Sequence, residues 1–268
     1  MQEILKIKIR AFFESILINI MFFSRLPIYK FFPEIAERRF FKLNDDCPAL
    51  PIASCIISLP VILILYLGMQ LSLDHAIIIL LAMGLSMLLT GCLHEDGLAD
   101  CADGFGGGHT KDQKLSIMKD SLLGSYGVLA LIFTFFARYL GLLSLLANSS
   151  NIDFIAFFLC IFMSSRISAM LLAIMLKPAK ANGLGQGAGE LSIQNAAKMG
   201  VLASIIIFIM VIFTNSILPL FIILSCLLGM IIAGIFAYKH IGGYTGDVFG
   251  FAQITSEITA LLLLAILL

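Results

Sequence analysis

The segment 90–108, TGCLHEDGLADCADGFGGG, carries the densest chemistry in the chain. Asp96, Asp100 and Asp103 stand at i, i+4 and i+7, the spacing that projects three side chains from one helix face. Three stacked carboxylates repel one another, and a bound divalent cation is the natural remedy. Carboxylate oxygens are hard ligands, and no Cys/His cluster accompanies them, so the pattern favours Mg²⁺ or Mn²⁺ over Zn²⁺. Glu95 adjoins the set as a fourth source of oxygen. Gly104, Gly106, Gly107 and Gly108 follow, and a glycine-rich turn there would offer backbone N–H groups to phosphate oxygens. The run matches neither GxxxxGK[ST] nor a GxGxxG that follows a strand. Downstream, Lys119, Asp120 and Ser121 give the entrance of the next apolar segment a polar character, with Lys119 a point charge for phosphate.

A second polar cluster is HIGGYTGDVFG, 240–250. Its glycines permit a tight turn, Thr245 could touch phosphate, and Asp247 could join the metal site. A third glycine-rich stretch, 178–190, offers Gln186 and Glu190. Arg138, Arg166 and Glu257 fall inside apolar segments, where an ionised group is costly and needs a partner. The expected pair is Arg166 with Glu257, and Arg138, nearer the opposite end, reads as structural. The histidines define no site by spacing, and the six cysteines form no CxxC pair.

The elements that must position these groups follow from composition. Of 268 residues, 60% are hydrophobic and 13% charged, with 17 basic against 17 acidic side chains. Mean hydropathy is +1.04. Such a chain is neither an ordinary soluble enzyme nor a disordered segment, and without excess positive charge it is no nucleic-acid binder. Long apolar runs instead predict an all-α polytopic membrane bundle. Seven spans are expected, near 50–70, 74–93, 122–146, 152–176, 200–216, 217–237 and 248–268. The stretch 11–24 is short, carries Glu14 and Asn19, and has basic residues on both flanks, so it is expected as an interfacial or re-entrant helix. All 268 residues then form one membrane domain, with no linker and no internal repeat. Lys and Arg avoid the loops near 71–74, 147–151 and 214–219 and gather in the alternate ones. By the positive-inside rule the N-terminus and the polar clusters are cytoplasmic.

Three stretches taken together, HEDGLADCADGFGGG (94–108), IMKDSLLGSYG (117–127) and GGYTGD-x-x-G (242–250) with Glu257, resemble the cobalamin synthase family. FFSRLP (22–27) fits that family's opening, and Phe251 departs from it where a small residue is usual. The likeness runs over essentially the whole chain. It implies an adenosylcobinamide-GDP ribazoletransferase of the bacterial inner membrane. That enzyme joins adenosylcobinamide-GDP to α-ribazole or its 5′-phosphate, releases GMP and uses Mg²⁺. The implied roles put Asp96 and Asp100 on the metal, with Asp103 as ligand or general base and Glu95 as the alternative base. Lys119 and Arg166 would hold phosphates, and Asp247 would complete the metal or substrate site. Asp120, Ser121, Thr245 and Glu257 belong to the substrate side with Gly104, Gly106 and Gly107. Assembly as a homo-oligomer is left open. Two other readings also stay open: a CDP-alcohol-type phosphotransferase, suggested by the DG-x-x-D spacing, and an ion-coupled transporter working through Arg166 and Glu257.

Overall fold

A computed structural model describes residues 2–38, 40–179 and 190–268. Among these the regular elements are all helical: α1 (Gln2–Phe23), α2 (Ile28–Phe31), α3 (Pro33–Arg38), α4 (Leu43–Asp46), α5 (Leu50–Gln70), α6 (His75–Thr90) and α7 (Leu93–Gly107) come first. They continue with α8 (Lys111–Ile117), α9 (Ser125–Ala147), α10 (Asn151–Met175), α11 (Ile193–Thr214), α12 (Leu218–Ile241) and α13 (Gly246–Leu267). Gln186 and most of the third glycine-rich stretch lie outside the described residues.

Among the described residues six helical stretches are long and apolar enough to cross a membrane: Leu43–Gln70, which runs from α4 through a short 3-10 turn into α5, and α9, α10, α11, α12 and α13. A seventh span is made if α6 is counted with α7 across a bend of 85°. The expected bundle is therefore present, with one correction. The span expected at 74–93 is a helix that ends at Thr90 and turns sharply. Gly91 and Cys92 both adopt positive φ, 63° and 56°, and their N–H groups return to Leu88 O and Met87 O. That left-handed pair closes α6 and redirects the chain, so α7 leaves the span in a new direction.

The N-terminal helix is also longer than 11–24. It runs from Gln2 to Phe23 and is not among the helices apolar enough to span. Its C-terminal half is held inside the bundle: Leu17, Ile18, Ile20 and Phe23 are buried, and the Asn19 amide donates to Ser15 O and Asp46 O, each at 2.8 Å. The centre of the bundle is α10, buried on nearly all sides, as expected for a helix apolar all round. It packs on α5, α12 and α13. α13 in turn packs on α12, α7 and α9, which brings the acidic segment against the last helix.

Candidate active site

Close helix packing positions the acidic segment. A Cβ built on Gly97 of α7 would lie 2.6 Å from the backbone oxygen of Asp247, and one on Gly250 would lie 2.9 Å from His94 O. The two backbones touch because glycine stands at both crossing points. This contact carries Asp247 to the acidic face of α7. Thr245 caps α13: its hydroxyl accepts from Val248 N–H at 3.4 Å and donates to Asp247 Oδ2 at 3.1 Å. Thr245 therefore serves the helix start and Asp247.

A cleft of about 700 Å³ opens beside α7. Glu95, Asp96, Asp100, Lys119, Asp120 and Ser121 all line it, and so does Arg138. Much of the expected set is thus gathered on one surface. Asp100 is the most perturbed of these acids. Partial burial and the charges of Asp247, Asp96 and Asp103 raise its pKa to about 7. Asp120 Oδ1 accepts from Leu122 N–H at 3.1 Å and shapes the turn at the cleft rim.

Three expectations are corrected. Gly104, Gly106 and Gly107 form no loop: α7 continues to Gly107, so their N–H groups are spent within the helix. Their lack of side chains serves packing instead. A Cβ on Gly106 would lie 2.7 Å from the Tyr126 ring, and one on Gly104 would strike Met118. They do not form a phosphate cradle. Asp103 is likewise committed. Its two oxygens accept from the N–H groups of Gly124 and Gly127, each at 2.8 Å. At 8% exposure it ties the start of α9 to α7, a structural tie that its spacing did not show.

The third correction concerns the buried charges. Glu257 pairs with Arg138, not Arg166: Arg138 Nη2 donates to Glu257 Oε2 at 2.7 Å while Nη1 donates to Glu95 Oε1 at 2.5 Å. Gln253 Nε2 adds a bond to Glu257 Oε2 at 2.9 Å and another to Ser165 Oγ at 3.1 Å. Arg138 thus joins α7, α9 and α13, and it is the residue that sequence reasoning undervalued. An arginine within an apolar span was the available signal. Arg166 instead donates to Phe162 O at 2.8 Å, with its guanidinium carbon 3.4 Å from the centroid of the Phe162 ring. It lines an internal cavity of about 30 Å³ with His94, Glu95, Arg138 and Glu257. That space suits a water, not a phosphate group. His94 is buried, its ring centroid 6.1 Å from that of Phe23.

The donor set bears on a metal in two ways. Among the described residues no group of three Asp, Glu, His or Cys side chains already converges closely enough to hold an ion. Yet burial first, and then the like charges of Asp247, Asp96 and Asp103, raise Asp100, and a hard cation would relieve the repulsive part. Asp96, Asp100 and Asp247 are oxygen donors at or beside the open cleft. That donor chemistry fits a hard divalent cation such as Mg²⁺.

Comparison with known proteins places the chain in a family. Three bacterial relatives bear the name adenosylcobinamide-GDP ribazoletransferase. The protein of Bradyrhizobium diazoefficiens is 36% identical over 81% of this chain and 81% of its own. That of Mesorhizobium japonicum is 33% identical over 96% and 95%. That of Shewanella frigidimarina is 35% identical over 91% and 90%. No solved structure matches the chain. Residues 15–265 match the family described as cobalamin-5-phosphate synthase, a span that takes in the acidic helix, the cleft and the Arg138 ion pairs. The chain belongs to the cobalamin-5-phosphate synthase family.

Proposed function

We propose that the protein is a Mg²⁺-dependent adenosylcobinamide-GDP ribazoletransferase that uses α-ribazole or its 5′-phosphate as acceptor. The observation that carries this reading is the cleft in which Glu95, Asp96, Asp100, Lys119, Asp120, Ser121 and Arg138 meet. A hydroxyl of the ribazole attacks the phosphorus on the cobinamide side of the pyrophosphate. A new P–O bond forms, the bridging P–O bond breaks, and GMP leaves with the electron pair. The hydroxyl proton goes to a carboxylate of the cleft.

Glu95 is suited to receive the hydroxyl. Its Oε1 is held by Arg138, while its Oε2 is buried without a partner among the described residues. A donor brought by the substrate would satisfy that oxygen. Lys119 at the rim offers positive charge to the phosphates. Asp96, Asp100 and Asp247 would hold Mg²⁺, which supplies charge neutralisation at the pyrophosphate oxygens. The site faces the cytoplasm in the bacterial inner membrane, a reading supported by the distribution of Lys and Arg among the loops.

The test is Mg²⁺-dependent GMP release by the purified protein from adenosylcobinamide-GDP and α-ribazole phosphate. Wild type should release GMP, and folded Asp100→Asn should lose most of that activity. No release by folded wild type with both substrates and metal would overturn the reading. CMP release from a CDP-activated alcohol would replace it with the alternative phosphotransferase.

A further inference from the structure

A second cluster of charge lies away from the cleft, where α8 meets the end of α12. Lys114 Nζ sits 3.0 Å from His240 Nδ1, so this ammonium faces a neutral acceptor. The ring of His240 stacks on Phe105, with centroids 4.7 Å apart, and lies parallel to Phe236. The charged groups acting on that ring are Lys114 and Lys239, both cationic. Lys111 joins them from the first turn of α8, its Nζ 3.7 Å from where a Cβ on Gly242 would stand. Among the described residues none of the three lysines forms an ion pair. Each ammonium carries three donors, and Lys114 commits one of them to His240.

The surface leading to this cluster is apolar. Ile232, Phe236 and Lys239 stand at i, i+4 and i+7 on α12, so one exposed stripe runs from hydrocarbon to ammonium. A parallel stripe holds Ile231, Ile235 and Tyr238, the last two 61% and 67% exposed. α12 is long and apolar enough to span a membrane, so in a bilayer these exposed side chains would meet acyl chains. Acyl-chain contact and uncompensated positive charge thus adjoin, the two halves of an anionic phospholipid.

We propose that Lys111, Lys114 and Lys239, braced by His240 and Phe105, bind the phosphate headgroup of an anionic phospholipid whose acyl chain lies along the exposed stripe of α12. The proposal does not depend on the transferase reading. Lipid retention is measured on the full-length protein in detergent by native mass spectrometry, with phosphatidylglycerol, phosphatidylcholine or inorganic phosphate added. Wild type should retain one phosphatidylglycerol in preference to phosphatidylcholine. Each neutralised lysine should weaken retention about fivefold, so Lys111→Gln/Lys114→Gln/Lys239→Gln should lose about a hundredfold. The matched control Lys6→Gln/Lys8→Gln/Lys30→Gln, with the same change in charge, should retain lipid as wild type does. Because the stem of Lys114 packs against Gly108, Lys111→Gln/Lys239→Gln serves if the triple variant does not fold, and it should lose about twenty-five-fold. Equal losses in test and control variants, equal retention of the zwitterionic lipid, or inorganic phosphate displacing the bound lipid at equal concentration would each overturn the proposal.

Discussion

Replacing Arg138 with Leu removes the guanidinium that donates hydrogen bonds to both Glu95 and Glu257. The size of the effect follows from what each carboxylate has left. Glu257 keeps the Gln253 amide at 2.9 Å, so its loss is partly offset. Glu95 loses its hydrogen-bonded partner, its Oε2 already lacks one, and at 8% exposure it keeps only the charge of Arg166 across the small cavity. Removing one partner of a buried pair costs about 3–5 kcal/mol, mostly the penalty of the charge left behind. Arg138→Leu should therefore destabilise the protein by about that amount. Glu257→Gln should cost less, since a neutral amide still accepts from Arg138 and the Glu95 pair survives. Arg138→Lys should fall between them, because one ammonium lacks the fork that reaches two carboxylates. Equilibrium unfolding in mixed micelles, with the Arg138→Leu/Glu257→Gln double variant closing the cycle, reads these differences. A cost for Arg138→Leu below about 1 kcal/mol, the scale of an ordinary interhelical polar contact in a membrane, would refute the reasoning.

Other expectations follow from the same geometry. Gly97→Val should force α7 from α13, costing about 1–3 kcal/mol and abolishing activity, whereas Gly200→Ala, with nothing within 4 Å, should be neutral or stabilising in the same unfolding assay. Asp103→Ala should free the 120–127 segment by removing two charge-assisted acceptors; limited proteolysis there should quicken, with Asp103→Asn intermediate because it keeps one acceptor. Asp100 is held near pKa 7 before metal binds, so it is protonated below that pH and ionised above it. Because Mg²⁺ needs the ionised form, affinity measured by calorimetry should weaken as pH falls from about 8 to about 6, approaching a tenfold loss per unit at the lower end. A flat profile would remove Asp100 from the ligand set.

The bundle was legible in the sequence because hydropathy acts over whole segments. A run such as 218–241 can satisfy its backbone in hydrocarbon only as a helix, whatever its neighbours. The gathering of Asp96 and Asp100 on one face was equally local, since both lie on one helix at i, i+4. The glycines misled because a glycine run has two opposite uses. Freedom in a turn and close approach in a helix need the same missing side chain, and only the presence of Tyr126 and Met118 tells them apart.

The chain's order of apolar and polar residues by itself determined the helices, the membrane character and the acidic segment, because each rests on residues near one another in sequence, and the order of its motifs along the chain carried the family likeness. Tertiary structure alone decided the partners. Arg138 and Arg166 are equally intramembrane in the sequence, yet only Arg138 projects between α7 and α13 where two carboxylates wait. Asp103 matched Asp96 and Asp100 in type and spacing, yet the start of α9 offers it two N–H groups that hold both its oxygens. A side chain's role at such positions depends on which distant backbone or charge reaches it first, and that is a property of helix packing.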